Sequence, residues 1–273
     1  MFKECPNCEL ALEEIIKYCP ECGQKTNLHR LNLSEILHEA IHYFTHADKS
    51  FIQLLKQLTL KTGKVAKEYI SGKRKKYFPP LNFYLLVATI FVLIINVATG
   101  SQSTPNVLKE HPEINSISDQ VRKKKIIKIY ERQGIAINFM NKYSNIVAMI
   151  ALPLICLIYW IFYIKGTYNY TEHLVACLYM IGFANLIYAL FFVPVTLLLG
   201  IKHSNSSLIS VIIFMIFQII YNSIFYYRFI NKNTYASAFK AICVSLFAVV
   251  FWFALSSILV GSYISNAFWG YAS

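Results

Sequence analysis

Thirteen of the 14 acidic residues in this chain stand before Arg132, and everything beyond keeps only Glu172. A water-soluble domain carries charge over its whole surface, about a quarter of its residues. Here 15% of residues are charged and 56% hydrophobic, so the second half needs a solvent other than water, and a lipid bilayer fits. Five uncharged apolar runs lie at 81–99, 143–164, 174–199, 208–227 and 241–264. Each reaches or approaches the roughly 20 residues that cross about 30 Å of hydrocarbon as a helix. Pro153 and Pro194 stand inside the second and third runs, where they are expected to kink the helix and free backbone carbonyls.

Four consecutive cations, Lys73, Arg74, Lys75 and Lys76, separate the polar first part from the apolar remainder and are followed by Tyr77, Phe78 and two prolines. Cations followed by aromatics suit a membrane–water boundary, the cations meeting anionic headgroups and the rings preferring the interface. The opening residues hold no apolar segment ahead of a cleavage site, so the N-terminus is expected to stay in the compartment of synthesis.

Ahead of this collar, Cys5-Pro-Asn-Cys8 and Cys19-Pro-Glu-Cys22-Gly23 form two Cys-x-x-Cys pairs ten residues apart. Two residues between paired cysteines let both thiolates reach one tetrahedral metal from a single tight turn. Proline presets that turn and Gly23 relieves crowding after it, whereas the first pair has Glu9 at the matching place. Residues 1–28 therefore read as a zinc ribbon with Cys5, Cys8, Cys19 and Cys22 as ligands of a structural Zn2+, rubredoxin-like iron being the chemical rival. A segment this short cannot bury a core, so the metal supplies most of its folding free energy. Up to Lys25 it carries three lysines against five glutamates, and four thiolates on one Zn2+ add negative charge. Phosphate binding needs the opposite sign, which disfavours nucleic acid and favours a protein partner. Cys156, Cys177 and Cys243 are isolated in apolar runs and read as small buried hydrophobes.

Residues 32–80 read as amphipathic and juxtamembrane helices. A first helix is expected over 32–47, capped by Ser34, with His38, His42 and His46 recurring every four residues along one flank. A polar flank is the plain interpretation of that stripe and a pH-sensing device the sharper one. A second segment, 51–70, alternates apolar residues with Lys56, Lys61, Lys64 and Lys67. It is expected to bend at Gly63 and to lie in the interface plane.

The order of these parts carries a resemblance. A ribbon ending Cys22-Gly23-Gln24-Lys25, amphipathic helices, and then Glu68-Tyr69-Ile70-Ser71-Gly72-Lys73-Arg74-Lys75-Lys76-Tyr77 is similar to an uncharacterised bacterial multi-pass membrane family, a domain of unknown function. The resemblance covers roughly the first hundred residues and departs from the family at Thr62-Gly63, where Pro-Gly is expected. It implies a multi-pass membrane protein and assigns no activity.

Counting Lys and Arg with a cytosolic N-terminus places 17 on the inner side and 9 on the outer side. The 100–142 loop carries Arg122 to Lys125 on the disfavoured side, but this cluster lies far from the first run, where the bias weakens. The expectation is an all-α protein of the bacterial cytoplasmic (inner) membrane, with the N-terminus cytosolic and the C-terminus extracytoplasmic. Its domain 81–273 is a five-helix transmembrane bundle. Within the loop, Ser116 and Asp119 resemble a capping box opening a surface helix.

No ionisable residue stands mid-span. Glu172 and His173 open the third run, while Asn185, Gln218 and Asn222 provide uncharged polar groups along a polar path. No phosphate loop, metalloprotease motif or nucleophile elbow is present. The reading is a non-enzymatic adaptor or sensor whose cytosolic ribbon binds a protein partner, held at the bilayer by the Lys73–Lys76 collar on anionic headgroups. The alternative is a small permease or lipid-handling protein.

Overall fold

The computed structural model describes residues 4–12, 16–26, 30–42, 50–99, 111–198 and 204–265. Helix α1 spans Leu33–His42, α2 Ser50–Leu60, α3 Lys64–Ile70, α4 Pro80–Thr99, α5 Gln120–Phe162, α6 Tyr170–Ile187, α7 Val193–Leu198, α8 Ser204–Ile230 and α9 Tyr235–Ser265. A π-helical turn, Tyr188–Phe192, joins α6 to α7 ahead of Pro194. That turn accommodates the proline without ending the helix, since a wider ring leaves the missing N–H without consequence.

Among the described residues four helices are long and apolar enough to cross a membrane: Pro80–Val97, Tyr170–Thr196, Ile209–Ile230 and Tyr235–Ser265. The run expected at 143–164 is not a separate helix. It forms the apolar arm of α5, with Ile146–Phe162 as a shorter apolar stretch, joined to the charged arm through non-helical angles at Tyr143 (φ −114°, ψ 19°). The expected break in composition is thus a bend within one element, and the apolar arm packs against α4, α6 and α9. Asp119 caps α5 by accepting from the N–H groups of Val121 and Arg122. The expected box with Ser116 does not form, because Ser116 closes a short 3-10 turn, Pro112–Ser116. Likewise Asn32, not Ser34, caps α1, accepting from the Glu35 N–H at 2.9 Å.

One span is central. The α6–α7 span is 72% buried, against 22–33% for the other three, and α4, α5 and α8 surround it. The other long helices expose Leu93, Ile150, Ile213 and Phe253, as lipid-facing helices do.

The α2–α3 segment bends at Thr62 (φ +46°) and Gly63 and is wedged against the bundle. Leu54, Leu58, Val65 and Ala66 are fully buried, with α3 packed on α6 and α8. Gly63 permits this approach, since a Cβ there would overlap the Phe225 carbonyl and stand 2.7 Å from the Phe229 nitrogen. Arg228 then donates to the Leu60 carbonyl at 2.9 Å, satisfying a backbone group that the end of α2 leaves open. The segment expected in the interface plane is therefore docked on protein. Tyr77 and Phe78 are also core residues and not interfacial anchors: both are buried, Phe78 packs edge-on against Phe51, and its carbonyl accepts from the Tyr179 hydroxyl at 2.7 Å.

Candidate functional site

Cys5, Cys8, Cys19 and Cys22 sit on two knuckles of identical backbone pattern. In the first, the Cys5 N–H donates to the Leu10 carbonyl (2.8 Å) and the Glu9 N–H to the Cys5 carbonyl (2.9 Å). In the second, the Cys19 N–H donates to the Gln24 carbonyl and the Gly23 N–H to the Cys19 carbonyl, both at 2.8 Å. Antiparallel bridges Glu4–Ala11 and Tyr18–Lys25 close the two. Each turn places a left-handed residue at the same step, Gly23 at φ +66° and Glu9 at φ +65°, and Glu9 carries the strain that glycine avoids.

All four sulfurs lie within 4.8 Å of one another, with Cys5–Cys22 at 3.6 Å and Cys8–Cys19 at 3.5 Å. A tetrahedral thiolate site with bonds of about 2.3 Å has sulfur–sulfur edges of about 3.8 Å, so the donor set fits one four-coordinate metal. The Cys22 N–H, helped by the Glu21 N–H and resisted by burial, draws the Cys19 thiol down to about 7. Cys19 is thereby favoured as a thiolate ligand near neutral pH.

The ribbon is fastened to the juxtamembrane turn. The buried Gln24 accepts the Lys75 N–H on its Oε1 at 3.1 Å, and Lys73 Nζ lies 3.6 Å from the Glu9 carboxylate. Two stretches far apart in the chain, the end of the second knuckle and the turn after α3, are thus in direct contact. Within the turn, Glu68 receives Lys76 at 2.7 Å and the Tyr77 hydroxyl at 2.8 Å. Its carbonyl takes the Lys73 N–H across Gly72, which adopts φ +117°. Two of the four collar cations, Lys73 and Lys76, therefore face protein carboxylates, and Lys75 is the exposed one.

Burial works against ionisation of Glu68, but the Lys76 ammonium and the Tyr77 hydroxyl overcome it and hold the carboxyl below its ordinary value. A depressed folded-state value contributes stability above the unfolded value, about 4.3, that is lost as pH falls through the folded one. The thermal midpoint in detergent is expected to drop more steeply below about pH 4.3 in the native protein than in Glu68→Gln. Parallel curves for the two proteins would remove Glu68 from the account.

A second fastening follows the ribbon. Arg30 grips Glu172 with two parallel bonds, Nε to Oε1 at 2.9 Å and an Nη to Oε2 at 2.8 Å, and also donates to the Thr167 carbonyl at 2.7 Å. Glu172 simultaneously closes a capping box with Asn169 at the start of α6. The lone acid of the apolar half is thus a structural anchor. Its isolation in the sequence is the signal that a cation elsewhere has to answer it.

The residues of the expected polar path separate into two places. Asn185, Gln218 and Asn222 converge on one cavity of about 260 Å3 between α4, α5, α6, α8 and α9, which Tyr84, Trp252 and Ser256 also line. The Tyr84 hydroxyl and Asn222 Oδ1 are buried with no hydrogen-bond partner among the described residues. Glu172 and His173 do not line it. His173 is instead enclosed by aromatic rings, stacked with Tyr226 and edge-on to Phe229, with Nδ1 3.3 Å from the Tyr226 hydroxyl. Cys177 reaches the same hydroxyl at 3.3 Å; its burial and that of Cys156 agree with the expectation of core thiols, whereas Cys243, expected to be buried as well, is exposed on α9. Of the histidine stripe, His46 and the side chains of His38 and His42 lie outside the described residues.

No curated protein and no solved structure matches this chain. A family described as "Protein of unknown function (DUF3667)" matches residues 48–92, the stretch holding the α2–α3 wedge, the juxtamembrane turn and the first part of α4, and over that segment the chain is similar to it.

Proposed function

We propose that this is a non-enzymatic adaptor or sensor of the bacterial inner membrane whose ribbon, stapled by Zn2+ on the cytosolic side, takes a protein partner. Four thiolates at tetrahedral spacing favour Zn2+ over harder ions. The observation that carries the reading is the division of labour within the ribbon. Glu9 and Gln24 hold the juxtamembrane turn, while Leu10, Ile16 and Tyr18 stay exposed on the same small module. Apolar side chains exposed on an acidic, metal-stapled module suit a protein contact and not a nucleic acid. The fastenings at Lys75 and Glu172 give the ribbon a defined posture relative to the bundle, with the N-terminus cytosolic and the C-terminus extracytoplasmic.

A photo-crosslinker replacing Tyr18 in intact cells is expected to trap one discrete protein, with the adduct lost in Cys19→Ser while membrane insertion persists. Insertion failing along with the adduct, or no adduct at all, sinks the reading.

A small permease or lipid-handling protein is the second reading. The cavity lined by Asn185, Gln218 and Asn222 favours it, because unpartnered polar atoms in an otherwise apolar chamber ask for a ligand or water. Flux or lipid exchange in reconstituted vesicles that Asn222→Leu abolishes supports it, and none across a broad substrate panel removes it.

A further inference from the structure

At the end of the bundle where the juxtamembrane turn sits, the α5–α6 and α8–α9 connections close a separate cavity of about 280 Å3. Lys165, Lys232 and Lys240 line it, together with Thr167, Thr234 and Ser237. All three lysines are exposed. Glu172 is the sole acid after Glu131, and Arg30 holds both its oxygens. Arg30, Lys61, Lys73 and Lys76 stand in ion pairs, and none of them lines this cavity. The collar cations are thus partly neutralised by protein, whereas these three are not.

The cavity is also built to hold its charge in place. Lys240 Nζ lies 4.6 Å over the Tyr163 ring, which positions the ammonium at the wall. Thr234 Oγ1 accepts the Ser237 N–H at 3.3 Å, so the first turn of the 31-residue α9 opens here with the positive end of its dipole. Ile230 and Ala236, at the ends of two apolar spans, complete the lining, so the cavity sits at headgroup depth. Tyr235, Phe239 and Ile242 are exposed on α9 beside it, an apolar track for an acyl chain.

From this we infer that the pocket of Lys165, Lys232 and Lys240 binds the phosphate of an anionic phospholipid headgroup. Basic pockets between membrane helices at the cytoplasmic side recognise such groups by charge and by N–H and O–H donors.

The test is native mass spectrometry of the full-length protein in detergent, titrated with phosphatidylglycerol or phosphatidylcholine, with glycerol 3-phosphate as a soluble competitor. Phosphatidylglycerol is expected to bind preferentially. Each lysine is worth about a factor of five, so Lys165→Gln, Lys232→Gln and Lys240→Gln together are expected to weaken it about 100-fold. Phosphatidylcholine adducts should be unchanged, and the corresponding triple Lys→Arg variant should retain the preference, which separates lost charge from lost fold. Lys124→Gln, exposed on the charged arm of α5 and outside this cavity, should leave binding intact. The inference is overturned if the triple Gln variant keeps the preference, or if Lys124→Gln costs as much. Glycerol 3-phosphate binding as tightly as the lipid, with no phosphatidylglycerol preference, would also overturn it and point to a free phosphate ester.

Discussion

Replacing Gly63 with alanine is expected to unseat the α2–α3 wedge. The added methyl group has nowhere to go, because the atoms it meets are the Phe225 carbonyl and the Phe229 nitrogen of α8, which belong to a hydrogen-bonded helix and cannot rotate away. Overpacking against backbone costs about 3 kcal/mol or more. Separation of the segments would also expose the Leu60 carbonyl that Arg228 satisfies. Two readouts follow: a lower thermal midpoint in detergent, and faster tryptic cleavage at Lys61 and Lys64. Gly182→Ala is the comparison, since its methyl group would meet side chains and not backbone, the Phe83 ring at 2.8 Å and the Tyr84 ring at 3.6 Å, and a side chain can shift. Equal stability of Gly63→Ala and the native protein would show that the wedge is not tightly seated.

Stripping the metal with a chelator is expected to unfold the ribbon and leave the bundle standing. Structural zinc contributes about 10–16 kcal/mol of apparent binding free energy to modules of this size, and the two knuckles otherwise share few buried side chains beyond Cys5, Cys19 and Gln24. After chelation Cys5, Cys8, Cys19 and Cys22 should react with maleimide, while Cys156 and Cys177, both fully buried in the bundle, stay protected. Loss of the ribbon also releases Gln24 from Lys75 and Glu9 from Lys73, so proteolysis should become sensitive to chelator at the collar as well. Protection of all four ribbon thiols after complete metal removal would show that the module folds without a metal.

The parts of this structure that were legible in the sequence are those whose cause is local. Cys-x-x-Cys spacing dictates a knuckle wherever it stands, and even the strained Glu9 was visible as a departure from glycine. Hydropathy likewise marked the four long apolar helices, since backbone satisfaction in lipid leaves few alternatives, but it also counted 143–164 as a fifth separate span, which is the apolar arm of α5. Helix starts were less secure: Asn32 stands two residues before Ser34, and Asp119 three after Ser116, and each pair offers good capping oxygens. Which one caps is settled by where packing begins the first turn. The wedge was misplaced for a different reason. An apolar stripe of Leu54, Leu58 and Val65 looks the same in one dimension whether lipid or protein covers it. Contacts such as Arg30 with Glu172, or Gly63 with Phe225, join points far apart in the chain and have no local signature.

That separation in the chain bears on how the protein is made. The ribbon and the wedge are translated early, yet the seat of the wedge includes Phe225 and Phe229 of α8, and Arg30 waits for Glu172. A nascent chain therefore holds a finished ribbon beside an amphipathic segment whose docking site has not been synthesised. Until α8 is inserted, the apolar face of α2–α3 is a liability of the kind that causes misassembly in slow, non-local folds. The bilayer surface is the nearest apolar phase that can shelter it. The amphipathic pattern of residues 51–70 suits such a waiting position, and insertion of the later helices would supply the seat that α8 provides in the finished fold.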